Sequence, residues 1–383
     1  MSHSVTAQDH ARGMDEYVRS GTDRALQLGN RGPIKFDGHG KLAQEILDAY
    51  WEHGFYVFTG LIEDDEIGLL RQDFDRLIEG APLDEDSDLD ALGRPAIGRE
   101  FKRNPYILVR PLSDPWGGTE LLGGRHPIQM LQPVPEQDAP AKVVFLIGGM
   151  CQLSDAALRL YGHPHLLTIA EGINGPDFVP YNDATFVKQP GLGGSVSWHQ
   201  DGVTHWQSEN WDEGIHGFNF QVQLYECTPY NGLWVMPGTH KLGRLDIKGL
   251  VAENGGSEQL PGAVPLLCQP GDVTIVNRQA LHCSFANTSP NRRVSVTFGF
   301  HRRASVLGAG GALSQSAGEV YDEARIYERA SVIPVASDAR AQFYPAESRY
   351  QYEPFAGLED QFRFTPQVWE EVIRDYNLKD LSI

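Results

Sequence analysis

His199 and Asp201 stand two residues apart, and His282 lies far downstream. Two imidazoles and one carboxylate are the donor set of a 2-His-1-carboxylate facial triad, which grips one face of an octahedral ion and leaves three positions open. That set points to mononuclear non-haem Fe(II) and oxygen chemistry. On a β-strand, residues i and i+2 share a face, so a strand would present His199 and Asp201 to one ion. A bare His-x-Asp pair often arises by chance. The chain has 13 histidines, and His205, His216 and His240 are further candidates by residue type. The ligands do not select the ion, because Zn²⁺ also binds such donors well.

The surrounding elements must place these groups. Residues 1–40 are polar and Gly-rich and read as an N-terminal arm or loosely packed strap. Leu42, Ile46, Leu47, Tyr50 and Trp51 then recur at helical spacing, His53-Gly54 closes that helix, and Phe55 to Phe58 reads as a strand. Asp64-Asp65 caps a second helix that buries Ile67, Leu70, Phe74, Leu77 and Ile78. The acidic run from Leu83 to Asp88 reads as a solvated loop. From about residue 177 to 300, short β-rich runs alternate with Gly, Pro and Asn turns, which suits a sandwich or barrel of antiparallel strands. Phe218 to Tyr225 alternates cleanly, and Val273 to Val276 follows the turn Pro270-Gly271-Asp272. The stretch from Leu281 to Phe300 reads as a last hairpin, turning at Asn287 to Asn291. The tail ends in a helix carrying Trp369, Val372, Ile373 and Tyr376, expected to pack rather than react.

Several segments occur in a telling order: Lys188-Gln189-Pro190-Gly191, Trp198-His199-Gln200-Asp201-Gly202, Asn231 to Lys241 around Pro237-Gly238-Thr239-His240, Pro270-Gly271-Asp272, and His282 through Arg293. This succession resembles the phytanoyl-CoA dioxygenase (PhyH-like) family of Fe(II)/2-oxoglutarate oxygenases. The resemblance implies a mainly β fold with flanking helices and a double-stranded β-helix (jelly-roll, cupin-like) core. It implies a domain over residues 41–305, with an unmatched insertion at about 90–160 and a C-terminal extension, 306–383, packed on the core. His199, Asp201 and His282 would be the iron ligands, with 2-oxoglutarate and O₂ as cosubstrates. The reaction would hydroxylate or otherwise oxidise an unactivated C–H bond and yield succinate and carbon dioxide. Halogenases of this superfamily lack the carboxylate ligand, so Asp201 argues against halogenation.

The far carboxylate of 2-oxoglutarate needs a cation, and a guanidinium can hold it through two charge-assisted bonds. Strand parity selects Arg293, which shares a face with Ser295 and Thr297, over Arg292, which lines up with Val294, Val296 and Phe298. Arg293 also follows His282 by eleven residues, the family's usual spacing. Ser284 shares the face of His282 and could bond the same carboxylate; Lys188 matches a family position near the cosubstrate, or is a surface lysine at a strand end. For the substrate, His205 and Trp206 are expected at the entrance, with His216, Phe218, Trp211 and Tyr230 extending an aromatic mouth. Thr185, Gln221 and Gln223 are expected to line the cavity by parity. Trp198 and His240 read as structural, and Asn277 as either a turn residue or a neighbour of the site. So many aromatics favour a bulky or lipid-like small molecule.

Composition bounds the rest. A formal charge of −19 argues against a nucleic-acid surface. The cations Lys102, Arg103, Arg292, Arg293, Arg302 and Arg303 are the main resource for binding the phosphates of a CoA thioester. No apolar run reaches the roughly 18 residues of a membrane span, and Met1 to Ser4 show no apolar signal core. Cys151, Cys227, Cys268 and Cys283 form no paired motif, so a cytoplasmic protein with reduced thiols is expected. Oligomeric state is open. Two rival readings use the same donors: a cupin-like metal-dependent isomerase or hydrolase, and a non-catalytic metal- or ligand-binding jelly roll. The first has no use for Arg293 or Ser284, and the second would be expected to show a broken triad, whereas His199, Asp201 and His282 are all present.

Overall fold

The alternating run Phe218–Gln223 sits near the centre of an eight-stranded sheet. Its pleat sends Phe218, Phe220 and Val222 to one face and Asn219, Gln221 and Gln223 to the other. The structure is a computed structural model that describes residues 6–313 and 316–383; Met1 to Ser4, read above for a signal core, lie outside the described residues. In chain order the strands are β1 (Arg31–Gly32), β2 (Phe55–Phe58), β3 (Tyr106–Val109), β4 (Val143–Gly148), β5 (Val179–Lys188), β6 (Val196–His199), β7 (Phe218–Gln223), β8 (Trp234–Val235), β9 (Val264–Pro265), β10 (Val273–Asn277), β11 (His282–Ser284) and β12 (Arg293–His301). The large sheet runs β1-β2-β10-β7-β12-β5-β4-β3 and the small one β6-β11-β8-β9. Apart from β1–β2, these strand pairs are antiparallel. The two sheets face each other across one cavity, the double-stranded β-helix expected.

Alternation decides what each face meets. Val222, Phe220, Val296, Phe298, Val273 and Ile275 point outward into the largest core cluster, where helices Gln44–His53 (α2), Asp64–Glu79 (α3), Asp155–Tyr161, Pro164–Asn174 and Val332–Phe343 cover them. Tyr161 of one such helix lies 5.1 Å from the Phe298 ring. Helix α2 ends as read, with Gly54 at φ 82 and its N–H on the Tyr50 carbonyl. Gly54 is also tight: a Cβ there would meet His240 Nδ1 at 2.5 Å. His240 is buried with Nε2 at 3.0 Å from the Trp51 carbonyl, a structural role. Helix α3 starts one residue earlier than expected, with Glu63 as N-cap and Asp64 and Asp65 in the first turn.

Three expectations need correction. Residues Ala7–Gln27 (α1) are no loose strap but a 21-residue helix. Met14, Tyr17, Val18 and Ala25 cover the outer face of the small sheet. Tyr17 stacks on Trp234 at 4.4 Å and donates to the Leu260 carbonyl at 2.9 Å. Second, β11 and β12 are not a hairpin. β11 pairs with β6 and β8, whereas β12 pairs with β5 and β7. The connection crosses between sheets, and Asn287 secures it by donating to the carbonyls of Gln189 and Asn291 at 3.0 and 2.8 Å. Third, the helix expected near Trp369 is a series of short turns: Pro366–Val368, a π-turn Trp369–Ile373, and Tyr376–Lys379. Among the described residues no helix is long and apolar enough to cross a membrane.

Candidate metal centre

His199 closes β6, His282 opens β11, and strand pairing sets the two directly opposite. Asp201 lies just past the end of β6, so the strand does not carry it; its N–H donates to the Arg278 carbonyl at 2.7 Å, which fixes the turn. One ligand atom from each of His199, Asp201 and His282 falls within 4.8 Å of the others, and all three residues are buried. His199 Nδ1 lies 2.8 Å from the Ser197 carbonyl and His282 Nδ1 2.8 Å from the Ala280 carbonyl. A carbonyl can only accept, so each Nδ1 carries the proton and each Nε2 keeps its lone pair for an ion. Those Nε2 atoms face Asp201 at 3.4 and 3.8 Å.

Electrostatics agree with the donor set. Burial, then the neighbouring His199, pushes His282 down to about 4, so its ring is neutral near pH 7. Burial alone would raise the Asp201 carboxyl, but the Arg125 guanidinium and the two histidines outweigh it and hold the group well below the usual carboxylate range. Asn219 Nδ2 donates to Asp201 Oδ2 at 2.8 Å. The neutral His282 ring, the ionised Asp201 carboxylate and the His199 ring, each oriented by a further hydrogen bond, fit a divalent ion.

Beside this cluster Arg293 is 3% exposed. Its Nη2 donates to Gln221 Oε1 at 3.0 Å, and its Nε has no partner. Ser295 Oγ, Thr297 Oγ1 and both amide atoms of Gln223 are likewise buried without a protein partner. A guanidinium among orphaned polar atoms, deep in a site, is a ready seat for an organic anion. Ser284 lines the same cavity. Arg292 turns the other way and pairs with Asp75 at 2.7 Å, so the strand register read from the sequence is the one observed.

The remaining predicted site residues divide. Gln221 lines the cavity but spends its oxygen on Arg293, and Gln223 lies deeper in the same polar row. Lys188 is neither a surface lysine nor a cavity residue: it is fully buried opposite Arg293, with Nζ donating to the Phe285 carbonyl. Burial, then Arg293, pushes its ammonium well below its ordinary range. Thr185 pairs with Val296 on the outer face and does not line the cavity. His205 and Trp206 do not rim this cavity either. His205, at φ 59, donates to the Ser305 carbonyl at 2.7 Å, and Trp206 donates to the Gly202 carbonyl at 2.6 Å. The chain turns away after Asp201, leaving Trp206 on a separate groove of about 280 Å³ with Arg244 and Lys248. His216 packs under Gly202, and Phe218 joins the outer core. Asn277 holds a turn, accepting from Gln279 N at 2.9 Å; Trp198 is core.

The cavity over the cluster holds about 340 Å³. Its apolar walls are Trp116, Leu122, Leu146 and Phe186. Its polar rim comes from two remote segments: Arg103 and Arg125 from the stretch between α3 and β4, and Asn377 and Asp380 from the tail. Arg103 pairs with Asp380 at 2.8 Å, and Arg329, fully buried, meets Asp380 at 3.1 Å. Enclosure raises Asp380 to about 6. Of these rim residues only Arg103 was singled out in the sequence, as a cation for CoA phosphates; Arg125 had no signal beyond the length of the 90–160 segment, and Asn377 and Asp380 had none.

The family profile described as "Phytanoyl-CoA dioxygenase (PhyH)" matches residues 50–295, spanning the 90–160 segment. A curated relative, "Phytanoyl-CoA dioxygenase 1" of Oryza sativa subsp. japonica, is 33% identical over 113 residues, which are 28% of this chain and 38% of that protein's length. Among solved structures, EctD from S. alaskensis with 2-oxoglutarate and 5-hydroxyectoine aligns with TM-score 0.48 at 17% identity, over 71% of this chain and 80% of the other. AviO1 from Streptomyces viridochromogenes Tue57 aligns with TM-score 0.47 at 18% identity, over 68% of this chain and 95% of the other.

Proposed function

We propose that this chain, which belongs to the phytanoyl-CoA dioxygenase family, is an Fe(II)- and 2-oxoglutarate-dependent dioxygenase that oxidises a C–H bond of a small organic molecule. The observation that carries the reading is the three-donor cluster and the buried Arg293 opening onto one cavity. His199, Asp201 and His282 would hold the metal, and Arg293 with Ser284 the far carboxylate of the oxoacid. Bound there, the ion and 2-oxoglutarate would supply the activation of dioxygen, with succinate and carbon dioxide as coproducts.

The chain's own residues do the remaining work. Gln221 fixes the plane of the Arg293 guanidinium, so two parallel N–H bonds can meet a carboxylate. Asn219 fixes the Asp201 carboxylate. Trp116, Phe186 and Leu146 wall the space above the donors, exclude water and press one C–H bond of the substrate toward the reacting centre.

The cavity lies at the small end of ligand pockets, about 300–1,000 Å³, and its apolar wall suits a bulky or lipid-like molecule. The cations available for CoA phosphates are otherwise engaged. Lys102, Arg103, Arg292, Arg302 and Arg303 face Asp375, Asp380, Asp75, Asp212 and Glu323 respectively, and Arg293 is buried. This favours a free small molecule over a CoA thioester. A cytoplasmic setting remains part of the reading, supported by four free, buried cysteines.

The test is succinate formation from 2-oxoglutarate by metal-depleted protein given Fe(II) or Zn²⁺. Succinate with Fe(II) alone, lost in Asp201→Ala, is expected. A protein that binds Fe(II) yet forms none under any condition that admits oxygen and candidate substrates would favour the isomerase, hydrolase or non-catalytic readings.

A further inference from the structure

Arg125 stands in the irregular stretch between β3 and β4 and makes two contacts with one residue. Its Nη1 donates to the main-chain carbonyl of Asp201 at 3.0 Å, and its Nη2 lies 3.4 Å from Asp201 Oδ1. The side chain is 12% exposed, and its Nε is buried without a partner. The next residue, His126, is fully buried and stacks on the His199 ring at 4.1 Å with 30° between planes. Its Nδ1 lies 3.3 Å from the Ser197 carbonyl that also receives His199. Two consecutive residues thus brace two of the three donors.

The backbone bends sharply to bring them there. Leu122, Gly123 and Gly124 have φ of 52°, 73° and 66°, three left-handed residues in a row. Glycine adopts this region freely, but leucine does so at a cost, and such strain persists only where the surroundings impose it.

We infer that Arg125 is a positioning residue that restricts Asp201 to donating one oxygen to the ion, an inference that rests on reading His199, Asp201 and His282 as metal ligands. The guanidinium bears on Oδ1 while the Asn219 amide takes Oδ2. Oδ1 faces the His199 ring at 3.4 Å and Oδ2 the His282 ring at 3.8 Å, so turning the carboxylate to bring both oxygens equally onto one ion would strain the Arg125 contact on one side or the Asn219 bond on the other. Two-oxygen chelation would fill one of the three open positions that a facial triad provides. The positive charge also offsets the carboxylate's, so the ion is held less tightly than the donors alone would hold it.

The test uses the full chain, metal-depleted and titrated anaerobically with Co(II), then with 2-oxoglutarate, in wild type, D201A, R125Q and R125K. Co(II) absorption in wild type that is lost in D201A checks the ligand reading by itself. Should wild type bind no Co(II), that reading fails and this inference with it. In R125Q, Co(II) should bind on the order of tenfold more tightly, because a nearby positive charge is gone. Its visible absorption should weaken as the coordination number rises, and 2-oxoglutarate affinity should fall about tenfold. R125K should restore wild-type Co(II) affinity but not the absorption, because one ammonium cannot hold both the carbonyl and the carboxylate. R125Q identical to wild type in absorption and 2-oxoglutarate affinity would overturn the inference. So would R125Q binding Co(II) more weakly than wild type, because the guanidinium would then support only the loop.

Discussion

The floor and the rim of the cavity are built by different rules. The floor is made of paired strands: His199 opposite His282, and Ser295 and Thr297 opposite Gln223 and Gln221. Ladder hydrogen bonds hold these backbones, so their side-chain positions follow from register; Asp201, just past β6, is held by its N–H on the Arg278 carbonyl instead. The rim is made of irregular segments from distant parts of the chain, held by ion pairs such as Arg103–Asp380 and by the left-handed bend at Leu122 to Gly124. The lesson is one of division of labour. Groups that must meet an ion or a carboxylate within tenths of an ångström sit on or beside strands, while groups that meet the variable part of a ligand sit on loops.

Substitutions can break this contrast or sharpen it. The largest effect is expected at the floor: Asp201→Ala should reduce Fe(II)-dependent succinate formation to background, as measured by product assay. Next, Arg293→Ala should raise the 2-oxoglutarate requirement by about 10- to 150-fold, the equivalent of a lost charge-assisted contact of roughly 1.5–3 kcal/mol. Arg292→Ala, which removes only a half-exposed pair with Asp75, should change it less than about threefold. A reversal between these two arginines in the saturation curve would mean the site lies on the other strand face. At the rim, Arg103→Ala should leave the 2-oxoglutarate requirement and metal binding within about threefold of wild type, because Arg103 is itself partly exposed and Asp380 keeps the buried Arg329 as a partner.

The smallest effect is on pH dependence, where two buried histidines and the rim carboxylate Asp380 differ in sign. Burial pushes His216, packed beneath the Asp201 turn, down to about 3, and His240 to about 4. For each, the unfolded chain takes up a proton first, near the ordinary value of about 6.5. Their stabilisation is therefore present above that pH and is lost as pH falls toward 4 and 3. Asp380 is raised to about 6, so its contribution is present below the ordinary carboxylate range and is lost as pH rises through about 6. Denaturation midpoints should be lower at pH 5 than at pH 7.5, and Asp380→Asn should steepen that fall. A midpoint that rises on acidification would contradict the assignment.

What could be read before the structure follows the same division. Arg293 was separable from Arg292 because strand alternation has a period of two, and the apolar row of Val294, Val296 and Phe298 leaves only one face for a buried cation. The helices α2 and α3 declared themselves through their apolar spacing. The double-stranded β-helix came from the motif succession, since short strands alone fit several β architectures. Helix α1 was hidden because Gly13 and Gly21 and a polar exterior dilute its narrow apolar stripe. Gly21 is there because Trp234 occupies the space a side chain would need. His205 and Trp206 lie elsewhere because a residue's distance along the chain from a ligand does not tell which way the backbone turns after Asp201, and Lys188, though paired with Arg293 on the neighbouring strand, spends its ammonium on the Phe285 carbonyl. Arg125, His126 and Asp380 could not be found at all: their approach to the site depends on tertiary packing of loops, which leaves no periodic trace.

The most direct measurement is anaerobic addition of Fe(II) and 2-oxoglutarate to the metal-depleted chain, read by visible absorption. A metal-to-ligand charge-transfer band is expected, absent in Asp201→Ala and needing far more 2-oxoglutarate in Arg293→Ala. Bound iron with no band at saturating 2-oxoglutarate would contradict the proposed function, because the oxoacid would not then be chelating the ion held by His199, Asp201 and His282.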